Sequence, residues 1–177
     1  MIIPGYKIKK TARFIRAGII PYIINRKDKN IHILLAKDRK TMEICDFGGG
    51  IKKHESCFEG ALREFNEETC GIFNDEITIE NLFNSIAICN RKSTHVLFFV
   101  SVNPDWYYFA KNKFHKSIRC QTNKECIENS SIFWMEYRDF LQKLQDNEVV
   151  IWNRFKKFML SHGDGISHFF HKKIYNV

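Results

Sequence analysis

The sequence of 177 residues has little of what marks membrane, secreted or modular proteins. It contains only 3 prolines, and no apolar run approaches the roughly 20 residues needed to span a bilayer. Residues 1–10 carry charge but lack the apolar segment of a secretory signal. No repeat, low-complexity tract or Pro/Ser-rich linker divides the chain. We therefore expect one globular domain over residues 1–177, with a basic helix or tail from about residue 149.

Cysteine spacing argues against a disulfide scaffold. The chain has 6 cysteines that lie far apart and include no CxxC pair. With no secretory signal in view, we expect free thiols in a reducing compartment, so the cytoplasm is the predicted location.

Positive charge is in excess, with a formal net charge of +8. This balance favours polyanionic partners such as nucleotides, RNA or inositol phosphates. General solubility and a composition rich in Lys, Asn, Ile and Phe explain the same excess, so charge alone does not choose a function.

Hydrophobic patterning predicts a mixed α/β layer fold, because strands and helices are interspersed along the chain. Apolar runs predict strands at residues 14–24, 31–36, 77–89, 94–102 and 131–135. Helical spacing predicts helices at about 56–70, 137–144 and 149–160. Residues 103–129 show only weak periodicity and are expected to form a long basic, aromatic loop.

The predicted helix at 56–70 has clear boundaries. Ser56 followed three residues later by Glu59 forms a capping box at its start. Gly71 suits the left-handed residue that closes a helix. At about 100° per residue, a single stripe collects the apolar side chains that should face the core. Its members are Phe58, Ala61, Leu62, Phe65 and Thr69.

A second face of this helix carries Glu64, Glu67 and Glu68 within about a third of its circumference. Carboxylates this close raise one another's pKa unless a cation neutralises them, and Mg²⁺ and Mn²⁺ prefer such oxygen ligands. Arg63 can pair with Glu67 at a spacing of four. Gly60 falls on the same face, where we expect it to leave room for a phosphate. An acidic, solvated face is the alternative interpretation of the glutamates.

With its flanking residues, the stretch resembles the Nudix box, G-x5-E-x7-R-E-U-x-E-E-x-G-U, where U is bulky and apolar. Gly49, Glu55 and the run from Arg63 to Glu68 fit this pattern without a gap. The pattern then departs, because Cys70 adds one residue before Gly71. The insertion follows every metal-binding position, so it should change only the helix exit.

The resemblance implies a Nudix-type αβα sandwich with a mixed sheet, and hydrolysis of a nucleoside diphosphate linked to another moiety. It implies that Glu64, Glu67 and Glu68 bind Mg²⁺ or Mn²⁺, with the main chain of Gly49 beside the metal. Arg63 would orient Glu67, and Glu55 would support the helix start.

The catalytic base in this family often comes from a late loop, so Glu125 and Glu128 are candidates, of which Glu128 is the better placed. A solvated loop glutamate is the alternative.

Substrate identity is less well defined. Aromatic and cationic side chains alternate within residues 106–119, a mixture suited to base stacking and phosphate contact. The residues predicted to bind substrate are Trp106, Tyr108, Lys113 and Arg119. Packing of these rings beneath the loop is the alternative. Basic and histidine residues after 153 are expected to be solvated or to contact RNA.

Three functional hypotheses follow. The first is hydrolysis of capped RNA or a related nucleotide; the composition also suits a viral decapping-type Nudix enzyme acting in the host cytoplasm. The second is hydrolysis of diphosphoinositol polyphosphates or dinucleoside polyphosphates. The third is an inactive Nudix binding module, which ranks last because every carboxylate of the box is present. Oligomeric state is left open.

Overall fold

The computed structural model describes residues 2–8, 14–25, 28–90, 94–120 and 128–175. Its strands are β1 (Ile2–Pro4), β2 (Arg16–Ile24), β3 (Ile31–Asp38), β4 (Ile44–Cys45), β5 (Phe47–Gly50), β6 (Ile86–Asn90), β7 (His95–Ser101) and β8 (Asn129–Glu136). Its helices are α1 (Cys57–Glu68), α2 (Ile79–Phe83), α3 (Trp106–Cys120), α4 (Tyr137–Asp146), α5 (Asn153–Leu160) and α6 (Gly163–Tyr175).

The strands form one mixed sheet in the order β1-β6-β7-β2-β3-β4. β2 and β7 pair in parallel, and the other pairs are antiparallel. One edge of β2 is divided: its first half pairs with β5 and its last residues pair with β3. β8 covers the other edge of β3. The glycines of β5 therefore lie beside the start of β2, near the centre of the sheet.

Helices cover both faces of the sheet. Side chains of α1, α2 and α3, among them Phe58, Phe65 and Phe114, belong to one buried apolar cluster. Side chains of α4, α5 and α6, among them Phe140 and Phe155, belong to the other. This arrangement confirms the predicted α/β sandwich of three layers with a mixed sheet. No helix in the described part of the chain is long and apolar enough to cross a membrane.

The loop predicted at 103–129 is wrong for residues 106–120, which form α3. Asn103 starts the turn into the helix, because its side-chain oxygen accepts a hydrogen bond from the backbone N–H of Asp105 at 3.0 Å. The inward face of α3 repeats every four residues, with Ala110 and Phe114 buried. This spacing was present in the sequence but was obscured by exposed aromatic residues on the other face. Residues 121–127, including Glu125, lie outside the described residues.

Two further predictions need correction. The strand predicted at 77–89 is interrupted by α2, which begins at a capping box formed by Thr78 and Asn81, so the strand starts only at Ile86. Within the predicted helix at 149–160, Ile151 instead bridges to Ile44, and the helix begins at Asn153. Residues 163–175 form α6.

Among the described cysteines, Cys45, Cys57 and Cys120 carry free thiols.

Candidate functional site

The predicted capping box begins α1. The Ser56 hydroxyl accepts from the backbone N–H of Glu59 at 3.3 Å, and the Glu59 carboxylate accepts from the backbone N–H of Ser56 at 2.7 Å. Such a cap contributes about 1 kcal/mol to helix stability. The start of the helix is therefore set by local chemistry alone.

The helix ends in two consecutive left-handed residues. Cys70 has φ 56° and Gly71 has φ 67°. The N–H of Gly71 donates to the carbonyl of Asn66 at 2.8 Å, and the N–H of Cys70 donates to the carbonyl of Glu67 at 3.3 Å. This pair of bonds is a Schellman closure in which Cys70 takes the first left-handed position. Gly71 is left-handed as predicted, and the extra residue is accommodated after Glu68.

Arg63 connects the carboxylates of the box. It donates through Nε to Glu55 at 2.7 Å and through Nη1 to Glu64 at 2.7 Å and Glu67 at 3.1 Å. Its Nη2 donates to the carbonyl oxygen of Gly50 at 2.8 Å. The hydrogen bond with Glu55 is the main cause that raises the pKa of Arg63 and lowers that of Glu55. Arg63 thus fixes two site carboxylates against the strand β5 and against the loop before α1.

Gly49 meets Glu64 directly. A Cβ atom on Gly49 would lie 2.4 Å from the carboxyl carbon of Glu64, whereas one on Gly50 would meet nothing within 4 Å. A side chain at position 49 would therefore displace the Glu64 carboxylate. The family resemblance implied that both residues lie beside the metal, and the structure brings the two into contact.

Gly60 has a different role from the one predicted. It is buried, and a Cβ there would lie 3.1 Å from Ile51 in the loop between β5 and α1. The space beside Gly60 is therefore filled by the protein and does not form an approach for phosphate.

Glu68 lies on the other side of the glycines. Its carboxylate accepts from the backbone N–H of Gly48 at 3.2 Å, and its main-chain carbonyl accepts from the side chain of Asn129 at 3.4 Å. Burial, followed by the nearby negative charges of Asp46, Glu64 and Glu128, raises the pKa of Glu68 well above its usual value. Negative charges this close together favour either a proton or a cation beside them.

Arg16 balances part of this negative charge by pairing with Asp46. The two side chains form a double hydrogen bond of 2.7 and 3.1 Å, and Arg16 also donates to the carbonyl of Gly48 at 2.9 Å. Burial acts to lower the pKa of Arg16, but Asp46 outweighs it and the pKa is raised. Gly18 makes room for this pair, since a Cβ there would lie 2.5 Å from the Asp46 carboxylate.

Two adjoining cavities meet at this ion pair. The acidic cavity, about 430 Å³, is lined by residues that include Glu68, Glu128 and the glycines 48–50. The Trp152 cavity, about 340 Å³, lies between β7 and α5 and has mostly apolar walls. Residues that line both cavities are Arg16, Asp46, His95, Trp152 and Arg154. Glycines 48–50 of β5 line the acidic cavity, and of the three only Gly50 has open space where a Cβ would lie.

The donor chemistry fits Mg²⁺ or Mn²⁺. Arg63 and Gly48 contact one oxygen of each of Glu64, Glu67 and Glu68, so a cation would be held through the second oxygen of each. Hard divalent cations prefer these carboxylate and main-chain oxygens. Among the described residues, no group of three or more such side chains already converges as a metal site. Binding would therefore require the carboxylates to turn toward the ion.

Glu128 lines the same cavity as Glu68, and its backbone carbonyl accepts from the N–H of Arg39 at 2.8 Å. The predicted base is therefore brought near Glu68, although 60 positions separate the two in the sequence, whereas Glu64 and Glu67 are not part of this lining.

The predicted substrate residues lie on α3, away from this cavity. The backbone carbonyl of Trp106 accepts from the indole N–H of Trp134 at 3.0 Å. Trp134 lies about 16 Å along β8 from Asn129, at about 3.3 Å per residue. The Trp106 ring already contacts Phe73, at 4.2 Å between centroids, and the amine of Lys113, at 4.4 Å.

Tyr108, Lys113 and Arg119 are exposed on the same helix, outside the acidic cavity. Base stacking beside Glu68 is therefore not available to Trp106 or Tyr108, and Trp152 is the tryptophan that lines the acidic cavity.

Several cavity residues were missed by the sequence analysis. Arg16 and Asp46 carried only weak signals, a charge at the start of an apolar run and an acid just before the glycines. Trp152 precedes the basic helix α5 without any motif. Strand pairing brings them together, with Arg16 opposite both His95 and Gly50.

No protein-family model and no curated protein matches this chain. Among solved structures, the Ap4A hydrolase of C. elegans is similar over 85% of this chain and 96% of its own, with 14% identity and a TM-score of 0.47. A mutT/nudix family protein from Listeria innocua covers 87% and 94%, with 16% identity and a TM-score of 0.48.

The NUDIX domain of Shewanella oneidensis NrtR, complexed with ADP ribose, covers 88% and 90%, with 11% identity and a TM-score of 0.47. At this level the likeness describes overall shape and does not establish an activity for this chain.

Proposed function

We propose that this protein is a Nudix-type hydrolase that uses a divalent metal to cleave a phosphoanhydride bond in a nucleoside diphosphate linked to another moiety. The observation that carries the proposal is the arrangement of Glu64 and Glu67 around Arg63, with Glu64 against the backbone of Gly49 and Glu68 against that of Gly48. The Glu64 carboxylate occupies the space where a Cβ of residue 49 would lie. A solvated acidic helix face does not require such a contact.

The chain's own residues have definable roles in such a reaction. When bound, Mg²⁺ or Mn²⁺ would neutralise pyrophosphate charge and acidify a water molecule. Glu64, Glu67 and Glu68 would hold the cation, and Arg63 would keep the first two in place. Glu128, across the cavity from α1, would accept the proton of the attacking water. The water oxygen forms a new bond to phosphorus, and the bridging P–O bond breaks toward the leaving phosphate.

Capped RNA or a related nucleotide is the substrate class that we propose, in a cytoplasmic setting. The cavity combines an aromatic ring, Trp152, with the cations Arg16 and Arg154. Lys113 and Arg119 on α3 add exposed positive charge that the RNA chain beyond the cap could contact. Contacts of Trp106 and Tyr108 with this part of the RNA stay a prediction.

A substrate panel tests the activity. The protein would be incubated with Mg²⁺ or Mn²⁺ and with capped RNA, dinucleoside polyphosphates, nucleoside triphosphates and diphosphoinositol pentakisphosphate. Release of a methylated guanosine diphosphate from capped RNA supports decapping. Preferential cleavage of dinucleoside polyphosphates or of the inositol compound would replace capped RNA as the substrate. Metal-dependent cleavage of none of them would contradict the proposal and favour a binding module.

A further inference from the structure

We propose that the Trp152 cavity is a nucleobase subsite, in which the base of a nucleoside di- or polyphosphate lies against Trp152 while its phosphates enter the acidic cavity. The proposal rests on the proposed function for the position of the cleaved bond. It adds the cavity in which the base of the substrate would lie. It also moves base recognition from α3 to Trp152, at the start of α5.

The walls of the cavity suit a planar apolar group that carries an anionic substituent. Val96, Leu97, Phe155 and Phe158 supply the apolar lining. Its volume of about 340 Å³ is at the lower end of the range typical of small-molecule sites. An inositol carrying phosphates on every side would have to bury charge against this lining, which is unfavourable. The chemistry therefore favours a nucleotide.

Two cations, Arg16 and Arg154, are at the junction with the acidic cavity, where the phosphates would extend from the base. Arg154 and Lys157 are exposed and line the Trp152 cavity, and Arg154 also lines the acidic cavity. Asp46 is the acidic side chain of the Trp152 lining, and Arg16 neutralises it through two hydrogen bonds. The junction is therefore positive on the side of α5 and negative on the side of α1, as expected if a cation and a pyrophosphate meet between them.

The Trp152 ring already has guanidinium neighbours, so a base would stack on the part of the ring that Arg16 leaves free. The guanidinium of Arg16 lies 4.7 Å from the centroid of its ring and that of Arg154 lies 5.9 Å away. Arg16 is itself fixed by Asp46 and by the carbonyl of Gly48. A ring fixed by a buried ion pair loses little freedom on binding a base, and this favours affinity.

Binding measurements separate the base from the phosphates. Calorimetry with the full chain in Mg²⁺ would compare guanosine diphosphate with inorganic pyrophosphate, for the wild-type protein, Trp152→Ala and Trp152→Phe. We expect Trp152→Ala to weaken guanosine diphosphate binding by about tenfold to a hundredfold and to leave pyrophosphate binding nearly unchanged. Trp152→Phe should restore most of the affinity. Tyr175→Ala, an exposed aromatic on α6, is the matched control and should bind like the wild type.

Kinetics give an independent measurement. On a nucleotide substrate found in the panel, Trp152→Ala should raise KM with little change in kcat. Equal weakening of guanosine diphosphate and pyrophosphate, with no rescue by phenylalanine, would mean that Trp152 serves only to support Arg16, and would overturn the subsite. Unchanged guanosine diphosphate binding in Trp152→Ala would overturn it as well.

The two proposals can fail separately. Trp152-dependent binding of guanosine diphosphate without any hydrolysis would retain the subsite and reject the enzyme. Hydrolysis that is insensitive to Trp152 would retain the enzyme and reject the subsite.

Discussion

The two sides of the acidic cavity are built in different ways. On one side, α1 supplies Glu68 to the lining, and Glu64 and Glu67 belong to the same helix at spacings that the helical repeat fixes. On the other side, Arg16, Asp46 and Trp152 come from three distant parts of the chain. Chemistry that acts on a common bond can reside in a short local motif, whereas recognition of a particular substrate depends on contacts that only the complete sheet creates.

The largest expected effect concerns the α1 side. We expect Glu68→Gln, and likewise Glu67→Gln, to lower kcat by about a thousandfold or more, because each removes a carboxylate that we propose to bind the metal. The thermal midpoint of Glu68→Gln without metal should not fall, since burial and neighbouring charges already oppose ionisation of Glu68. Glu80→Gln, on the exposed start of α2, is the control for turnover and for circular dichroism. Near-native rates in Glu68→Gln would remove α1 from the mechanism.

The second prediction concerns Arg16, on the opposite side of the acidic cavity, and the stability of the folded protein. Arg16→Ala leaves Asp46 buried without its partner, and their side chains are 15% and 1% exposed. We expect the free energy of unfolding, measured by denaturant titration, to fall by about 3–5 kcal/mol. Adding Asp46→Asn should recover part of the loss. A change of less than about 1 kcal/mol in Arg16→Ala would show that the pair contributes little to the cavity wall.

Adding metal distinguishes the two sides of the acidic cavity, because we expect only the α1 side to bind the ion. At a concentration a hundred times its Kd, Mn²⁺ should stabilise the protein by about 2.7 kcal/mol. For a chain of this size the midpoint of thermal unfolding then rises by about 5–10 °C. Glu68→Gln should lose this shift, and Trp152→Phe should keep it. An equal shift in the wild type and in Glu68→Gln would place the ion elsewhere.

Two neighbouring glycines of β5, Gly49 and Gly50, provide a test variant and its matched control. Gly49→Ala places a methyl group against the Glu64 carboxylate, while Gly50→Ala enters open space. We expect Gly49→Ala to lower kcat by up to about a hundredfold, the scale of effect of a displacement of about 1 Å at a reacting centre. Gly50→Ala should stay close to the wild type. Equal rates for the two variants would show that the position of Glu64 is not critical.

We expect the smallest effect from variants on α3, which lies outside the acidic cavity. Lys113→Ala and Arg119→Ala should raise KM for a long capped RNA a few-fold and reduce its salt dependence, since each removes one phosphate contact. The KM of a mononucleotide should not change. Loss of mononucleotide binding in these variants would return base recognition to α3 and contradict the assignment to α5.

The sequence predicted local features better than distant ones. The capping box of Ser56 and Glu59, the left-handed Gly71 and the pairing of Arg63 with Glu67 were all predicted from spacings of a few residues and are all present. The sequence also predicted most strands, because their apolar runs are continuous. Helix α3 was missed because exposed aromatic residues weakened its apparent periodicity, and Gly60 was misinterpreted because Ile51 fills the space beside it.

By itself, the sequence determined α1: where it begins and ends, which face it buries, and that its carboxylates share the other face. These properties depend on the geometry of a single helix. Only the tertiary structure decided what faces those carboxylates. Pairing of β2 with β5 and β7 sets Arg16 opposite Gly50 and His95, and the bridge between Ile44 and Ile151 brings Trp152 to the same place. Such neighbours depend on strand register across the whole chain, and no local pattern records it.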